Sequence, residues 1–403
     1  MIRALAIIAS SRRLRTTTIA MVFIGALAAA LAPYQGLIAI KLFGFSDAQF
    51  AAIMVVGAAA SVASSLYTGI ITDQWASRRT TALICAGITV AGVGGVYLTR
   101  SPIAYVLAAT VLIPIGFALM GQLFAIARLA VCTRTAAERD GVMALIRAGF
   151  AVPFIVVLPL LSIAIGRGMG LIHLYGVVTL AATGCFAALY FLLPEDGLEG
   201  GTETKSGLSF RQSMSELAQP RIVSRLLLIA TLVAANTIYM QTMGLIFEAS
   251  HPEGAARTAR LAALIAGLEI PVMMLIPWFT ARMSKSTILL GAAAIYAVFL
   301  LLFPRMAGGD AVWLLAIPAA IGAAALLTLP IAYFQDLLWN RPGASSSLQS
   351  VNQVTSQLIA GGIFWVGTSL ASYSLVMTIG AVTAIGAGVT LRVADSRATR
   401  PAP

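Results

Sequence analysis

The sequence predicts an all-α membrane protein with twelve transmembrane helices in two six-helix halves, on three observations. First, 59% of its 403 residues are hydrophobic and only 10% are charged, against about 25% charged in soluble domains, and mean hydropathy is +0.93. Second, the apolar residues fall into long runs of about 20, the length that crosses a bilayer as a helix. The alternating segments of roughly ten residues expected of a β-barrel are not seen. Third, Lys and Arg concentrate in alternate connections between the runs, as topology requires.

The twelve runs lie near 18–40, 49–72, 80–98, 103–127, 142–165, 169–193, 224–247, 258–280, 286–304, 311–335, 347–370 and 372–393. With the N-terminus inside, both termini and the inner connections hold 19 of the 26 Lys and Arg. The outer connections hold six (Lys41, Arg100, Arg167, Arg257, Arg260 and Arg305), and Arg147 falls inside a run. That bias predicts that both termini are cytoplasmic, and an odd number of spans would scramble it. Residues 1–19 carry Arg12, Arg13 and Arg15 ahead of the first run with no convincing cleavage site, so they read as a lead-in to a retained helix.

The net charge of +11 is explained by these clusters, which argues against a nucleic-acid partner. Cys85, Cys132 and Cys185 have no metal-ligand spacing, and two of them lie within apolar runs. No disulfide framework, metal or cofactor is predicted. The chain has no Walker loop to support an ATP-driven pump, and no nucleophile and base at a spacing that would make it an enzyme.

The longest connection, PEDGLEGGTETKSGLSFRQSMSELAQPRIVSR (194–225), divides the chain. Residues 1–193 form the N-terminal half with spans one to six. Residues 194–223 form a cytoplasmic linker with a short amphipathic helix at 208–217. Residues 224–403 form the C-terminal half with spans seven to twelve and a short tail. Spans one and seven start about 207 residues apart, and GIITDQWASRR (69–79) has a degenerate counterpart in PWFTARMSK (277–285). In the first of these stretches Gly69, Asp73, Arg78 and Arg79 match the signature loop of the major facilitator superfamily, with Ala76 where glycine is usual. Two parallel six-helix halves are also the plan of those transporters, whose substrate site lies between the halves near mid-membrane. An ordinary positive loop is the alternative for residues 69–79.

Charged and amide groups inside spans are the candidates for function. Glu269, in AGLEIPVMM (266–274), lies near the middle of span eight, where a charged side chain costs roughly 2.5–3.5 kcal/mol even on lenient scales. Such a carboxyl group can take a proton from one side and release it to the other. Pro271 frees a backbone carbonyl beside it. The alternative is a permanent interhelical hydrogen bond. Arg147, one to two turns inside span five, would bias the charge of Glu269 or hold an anionic or hydroxyl-rich substrate. It could also snorkel to the surface. Asn236, Tyr239, Gln241, Gln35, Gln122 and Gln357 lie within or at the ends of spans, and each is either interhelical glue or a substrate contact. As a set, amides and a phenol suit a polar neutral substrate such as a sugar. Arg128 and Asp336 close spans four and ten, 208 residues apart, as a gate pair or as plain end caps.

QLFAIAR (122–128), VMALIRA (142–148), ANTIYM (235–240), GLEIP (267–271) and FQDL (334–337) resemble, in order and over both halves, the bacterial sugar efflux transporters of the major facilitator superfamily. The resemblance implies a bacterial inner-membrane exporter of small sugars or glycosides, working by alternating access in exchange for protons, with Arg147, Asn236, Glu269 and Asp336 at motif positions; a monomer is the default expectation. Export of drugs or other metabolites by the same fold, or a sensor that transports nothing, are the competing expectations.

Overall fold

The structure, a computed structural model, describes residues 2–75, 78–195, 219–337 and 342–398. A short helix α1 (Ile2–Ser10) is followed by α2 (Arg12–Leu42), which passes through a tight turn at Ala32–Tyr34 and a wide turn at Ile38–Leu42. Then come α3 (Asp47–Trp75), α4 (Arg78–Thr99), α5 (Pro102–Ala130), α6 (Ala136–Gly166) and α7 (Ile172–Leu192). The second half of the chain continues with α8 (Pro220–Ser250), α9 (Gly254–Thr280), α10 (Lys285–Met306) and α11 (Asp310–Leu337). It ends with α12 (Pro342–Leu370) and α13 (Tyr373–Ala398).

No strand occurs among the described residues. Eleven of these helices are long and apolar enough to cross a membrane. The remaining long one, α12, is 29 residues long and covers the expected eleventh span. Its first half is rich in Ser, Gln and Asn. Each of the twelve expected runs is therefore a helix.

The helix ends differ from the apolar runs for local reasons. The Ser11 hydroxyl accepts from the Leu14 N–H and caps α2, so three arginines sit inside the helix rather than ahead of it. Thr135 and Glu138 form a reciprocal capping box that starts α6 six residues before its apolar run. Helix α1 was hidden in the expected lead-in. Its Ala4, Ile7 and Ile8 are buried at helical spacing and pack on α6, and Arg3 pairs with Glu138 at 2.9 Å. Burying those side chains contributes on the order of 3 kcal/mol. The expected helix at 208–217 lies outside the described residues.

The chain forms two compact units: Met1–Ala32 with Val56–Ser206, and Pro33–Val55 with Gly207–Pro403. In the first, α2 lies against α5, α6 and α7, and α4 against α5 and α7. A Cβ on Gly25 would run into the Phe150 carbonyl, so glycine sets the α2–α6 approach. In the second, α8 lies against α9, α11, α12 and α13, α10 against α11 and α13, and α9 against α11. The second unit also includes residues 33–55. Tyr34 Oη donates to the Ala255 carbonyl at 3.0 Å and Tyr373 Oη donates to Asp47 Oδ1 at 2.8 Å. Phe50 meets Phe364 edge-on with centroids 5.3 Å apart.

In both units arginines near helix starts reach the end of the unit's last helix. In the first unit Arg12 donates to the Phe191 carbonyl (2.9 Å), Arg13 to Glu195 O (3.0 Å) and Arg79 to Tyr190 O (3.0 Å). The Phe191 and Tyr190 carbonyls are among those left open at the end of α7, and Glu195 lies just beyond it. In the second unit Arg225 Nε meets Asp395 Oδ1 at 3.2 Å and Nη2 donates to Ala394 O, while Tyr333 Oη donates to Asp395 at 2.8 Å.

Arg225 is 6% exposed, so Asp395→Ala leaves a buried guanidinium without its carboxylate, a loss of about 3 kcal/mol. Thermal unfolding of the purified protein should show a clearly lower midpoint for D395A, recovered in part by R225M/D395A. Equal midpoints for D395A and wild type would refute the clamp.

Candidate functional site

Helix α9 runs unbroken through Pro271 and Pro277. Pro271 has no N–H to offer the Gly267 carbonyl, so that carbonyl, close to Glu269 in the helix, lacks its usual helical donor. The Glu269 side chain is half-buried at mid-helix. Helix α8 presents Asn236 and Tyr239 three residues apart, on one face, and α10 presents Tyr296. Tyr296 Oη donates to Asn236 Oδ1 at 2.9 Å. Both phenols lie within electrostatic reach of the Glu269 carboxyl group. Tyr239 packs edge-on against Phe299 (4.9 Å) and Phe303 (6.3 Å), and its hydroxyl, fully enclosed, has no hydrogen-bond partner. Gly322 of α11 makes room for Tyr296, because a Cβ there would lie 2.6 Å from the Tyr296 Cβ.

A second polar pair lies in the same unit. Gln241 Nε2 donates to Gln35 Oε1 at 2.9 Å, and the buried Gln241 Oε1 has no partner. Gln35 is exposed. On α12, Gln357 is half-buried. Asn352 of that helix is fully buried with neither amide atom bonded, and the buried Ser356 donates to the Gln353 carbonyl.

The first unit holds Gln122 on α5, 5% exposed with Oε1 unpartnered. Arg147, on α6, is exposed on its unit and lies over the Phe124 ring at 5.7 Å. Arg128 is exposed near the end of α5. Among the loop residues, Arg79 holds the end of α7, with Glu195 Oε1 at 3.8 Å from its Nη1, and Arg78 lines a small cavity with Arg13, Leu193 and Pro194. The side chains of Gly69 and Asp73, and Ala76, lie outside the described residues. Asp336 pairs with Lys285 at 2.6 Å, and Lys285 also donates to the Ala332 carbonyl. That ties α11 to the start of α10.

Of the residues expected from the sequence, the structure thus gathers Asn236, Tyr239 and Glu269 in one cluster and Gln35 with Gln241 in another. Tyr296, Lys285 and Asn352 were missed. Tyr296 sits in the apolar run AIYAVF and reads there as core. Lys285 reads as one more positive loop charge. For Asn352 the signal was the 3–4 spacing of Gln349, Asn352 and Ser356, which puts an amide stripe on one helix face.

The family model described as the Major Facilitator Superfamily matches residues 17–364. "Sugar efflux transporter A" of Dickeya chrysanthemi is 26% identical to this chain over 279 residues, 68% of each protein. Among solved structures, the nucleoside transporter NupG is similar with a TM-score of 0.76 at 14% identity, covering 96% of this chain and 99% of that one. A POT family transporter in complex with a thioalcohol conjugated peptide gives 0.74 at 14%, covering 96% of each. At these identities the structural likeness speaks to the fold alone.

Gly322→Ala should force the Tyr296 ring off Asn236. Overpacking costs about 1–3 kcal/mol, with about 1 kcal/mol more for the lost hydrogen bond. A thermal midpoint equal to wild type in G322A would show that α11 yields without moving the ring.

Proposed function

We propose that this chain, which belongs to the Major Facilitator Superfamily, exports small sugars or glycosides by alternating access in exchange for protons. The observation that carries the reading is Glu269, a carboxyl group at the middle of a spanning helix within electrostatic reach of two phenols, one of them bonded to an amide. A group placed there at such cost serves a cycle that needs it both charged and neutral. The relative named as a sugar efflux transporter supports the substrate class.

In this scheme Glu269 carries the proton and Arg147 biases its charge state. Asn236, Gln241, Gln35 and Gln357 line the sugar path, with Gln122 as a further amide in the first unit. Amides both donate and accept, as sugar hydroxyls do, and the unpartnered Gln241 Oε1 is an acceptor awaiting a donor. Gly69, Asp73, Arg78, Arg79, Arg128 and Asp336 act at the ends of the spans as gating residues. The two halves act as a repeat in a bacterial inner membrane, with both termini in the cytoplasm and the protein a monomer. The solute leaves chemically unchanged.

Everted membrane vesicles with an imposed pH gradient test this. Labelled glucose, lactose or a thiogalactoside should accumulate with wild-type protein. Glu269→Gln should cut gradient-driven accumulation at least about tenfold, the scale of one lost charge-linked interaction, while exchange of labelled for unlabelled sugar persists. Gln241→Leu should raise the half-saturating sugar concentration about fivefold. Arg147→Met should change gradient-driven uptake in wild type but add nothing in the E269Q background. No uptake of any sugar by wild type would sink the substrate reading and send the search to drugs and other metabolites. Equal accumulation by E269Q would remove Glu269 as the coupling group.

A further inference from the structure

We infer that the Tyr239 hydroxyl is the hydrogen-bond donor that receives the Glu269 carboxylate once its proton has left, a positioning residue for proton exchange rather than part of the sugar lining. The inference rests on the coupling role of Glu269 proposed above and adds to it the partner of the charged state.

Four observations lead there. Tyr239 is 1% exposed, so a sugar cannot reach its phenol without displacing Phe299 and Phe303, which pin the ring. Its hydroxyl is enclosed and without a partner, a state that buried polar groups rarely keep without a reason. The neighbouring Tyr296 is equally buried but has its donor committed to Asn236. Of the two phenols near Glu269, only Tyr239 therefore has a donor to give. Finally, Glu269 lies on α9, which packs against α8, within electrostatic reach of that hydroxyl.

The chemistry follows from the charge. A neutral carboxyl group tolerates an apolar surround, whereas a carboxylate there needs donors. A phenol O–H is a short, strong donor to a carboxylate. Rotation about the glutamate side chain brings the carboxylate onto Tyr239 when it is ionised and releases it when it is protonated. The departing proton goes to water in the translocation path, and Tyr239 keeps its own. The described ionisable groups of α11, which packs against α9, are committed elsewhere. On α11, Asp310, Tyr333 and Asp336 are engaged with Arg257, Asp395 and Lys285 respectively.

Tyr239→Phe tests this with little structural risk, because the hydroxyl it removes bonds to nothing in the present arrangement. Infrared spectra of the purified, lipid-reconstituted protein give the carboxylate stretching band of Glu269, identified by its absence in E269Q. The expected result is a displaced band in Y239F, an undisplaced one in Tyr175→Phe of the first unit, and a Y239F thermal midpoint at or above wild type. In everted vesicles Y239F should keep sugar–sugar exchange and lose about tenfold of gradient-driven uptake, the effect of one charge-assisted hydrogen bond. An undisplaced band in Y239F overturns the inference even if transport is proton-driven. A displaced band in a protein whose sugar flux ignores the pH gradient keeps the Tyr239–Glu269 bond and overturns the coupling reading instead. A lowered midpoint with sugar exchange and gradient-driven uptake reduced alike would make Tyr239 a packing residue, and would also overturn the inference.

Discussion

Everything in this protein follows from one constraint: inside hydrocarbon each polar group must find its partner within the protein, because water is not there to take its place. The backbone meets it by coiling into helices. The threonines meet it locally. Thr17, Thr89, Thr110, Thr258 and Thr328 each donate to the carbonyl four residues back, so their hydroxyls are used up within their own helix. The longer amides, the phenols and the glutamate cannot reach back in this way. They must bond across helices or go without.

The arginines answer the same constraint at the helix ends. Read along the chain, they are topology signals. In three dimensions Arg12 and Arg79 also occupy open carbonyls at the end of α7, Arg13 the Glu195 carbonyl just beyond it, and Arg225 reaches the Ala394 carbonyl in the last turns of α13. A helix leaves its last carbonyls unpaired and carries partial negative charge there, so a cation at that place both orients the chain and closes the unit. One residue type thereby serves insertion and packing.

The spans were legible because a bilayer demands about 20 apolar residues at a stretch, and Glu269 was legible because a charge in that stretch stands out. The helix ends were less so. Ser11, Thr135 and the π-type turn at Ile38–Leu42 shift them by hydrogen bonds that composition does not display. The packing of residues 33–55 within the second unit depends on contacts such as Tyr34 with Ala255 and Asp47 with Tyr373, more than 200 residues apart in sequence. No local pattern encodes those. Tyr296 stayed hidden for the opposite reason. An aromatic residue among aliphatics looks like core, and it is core, with only its oxygen turned to Asn236.

Stability alone does not account for the polar atoms that remain unbonded. Gln122 Oε1, Tyr239 Oη, Gln241 Oε1 and both amide atoms of Asn352 are enclosed without partners. Each costs about 1–3 kcal/mol relative to a bonded or apolar replacement. Together that approaches the whole margin of about 5–15 kcal/mol by which a typical domain stays folded. A chain built only to sit in the membrane would carry Phe at 239 and Leu at 352, gaining stability at no loss of packing. A chain that must bind and release a solute needs the reverse: groups held ready in one state whose partners arrive in another. The unbonded atoms of α8 and α12 sit on the unit that also holds Glu269, and that of Gln122 on the other, so both units carry polar groups that cost stability as they stand.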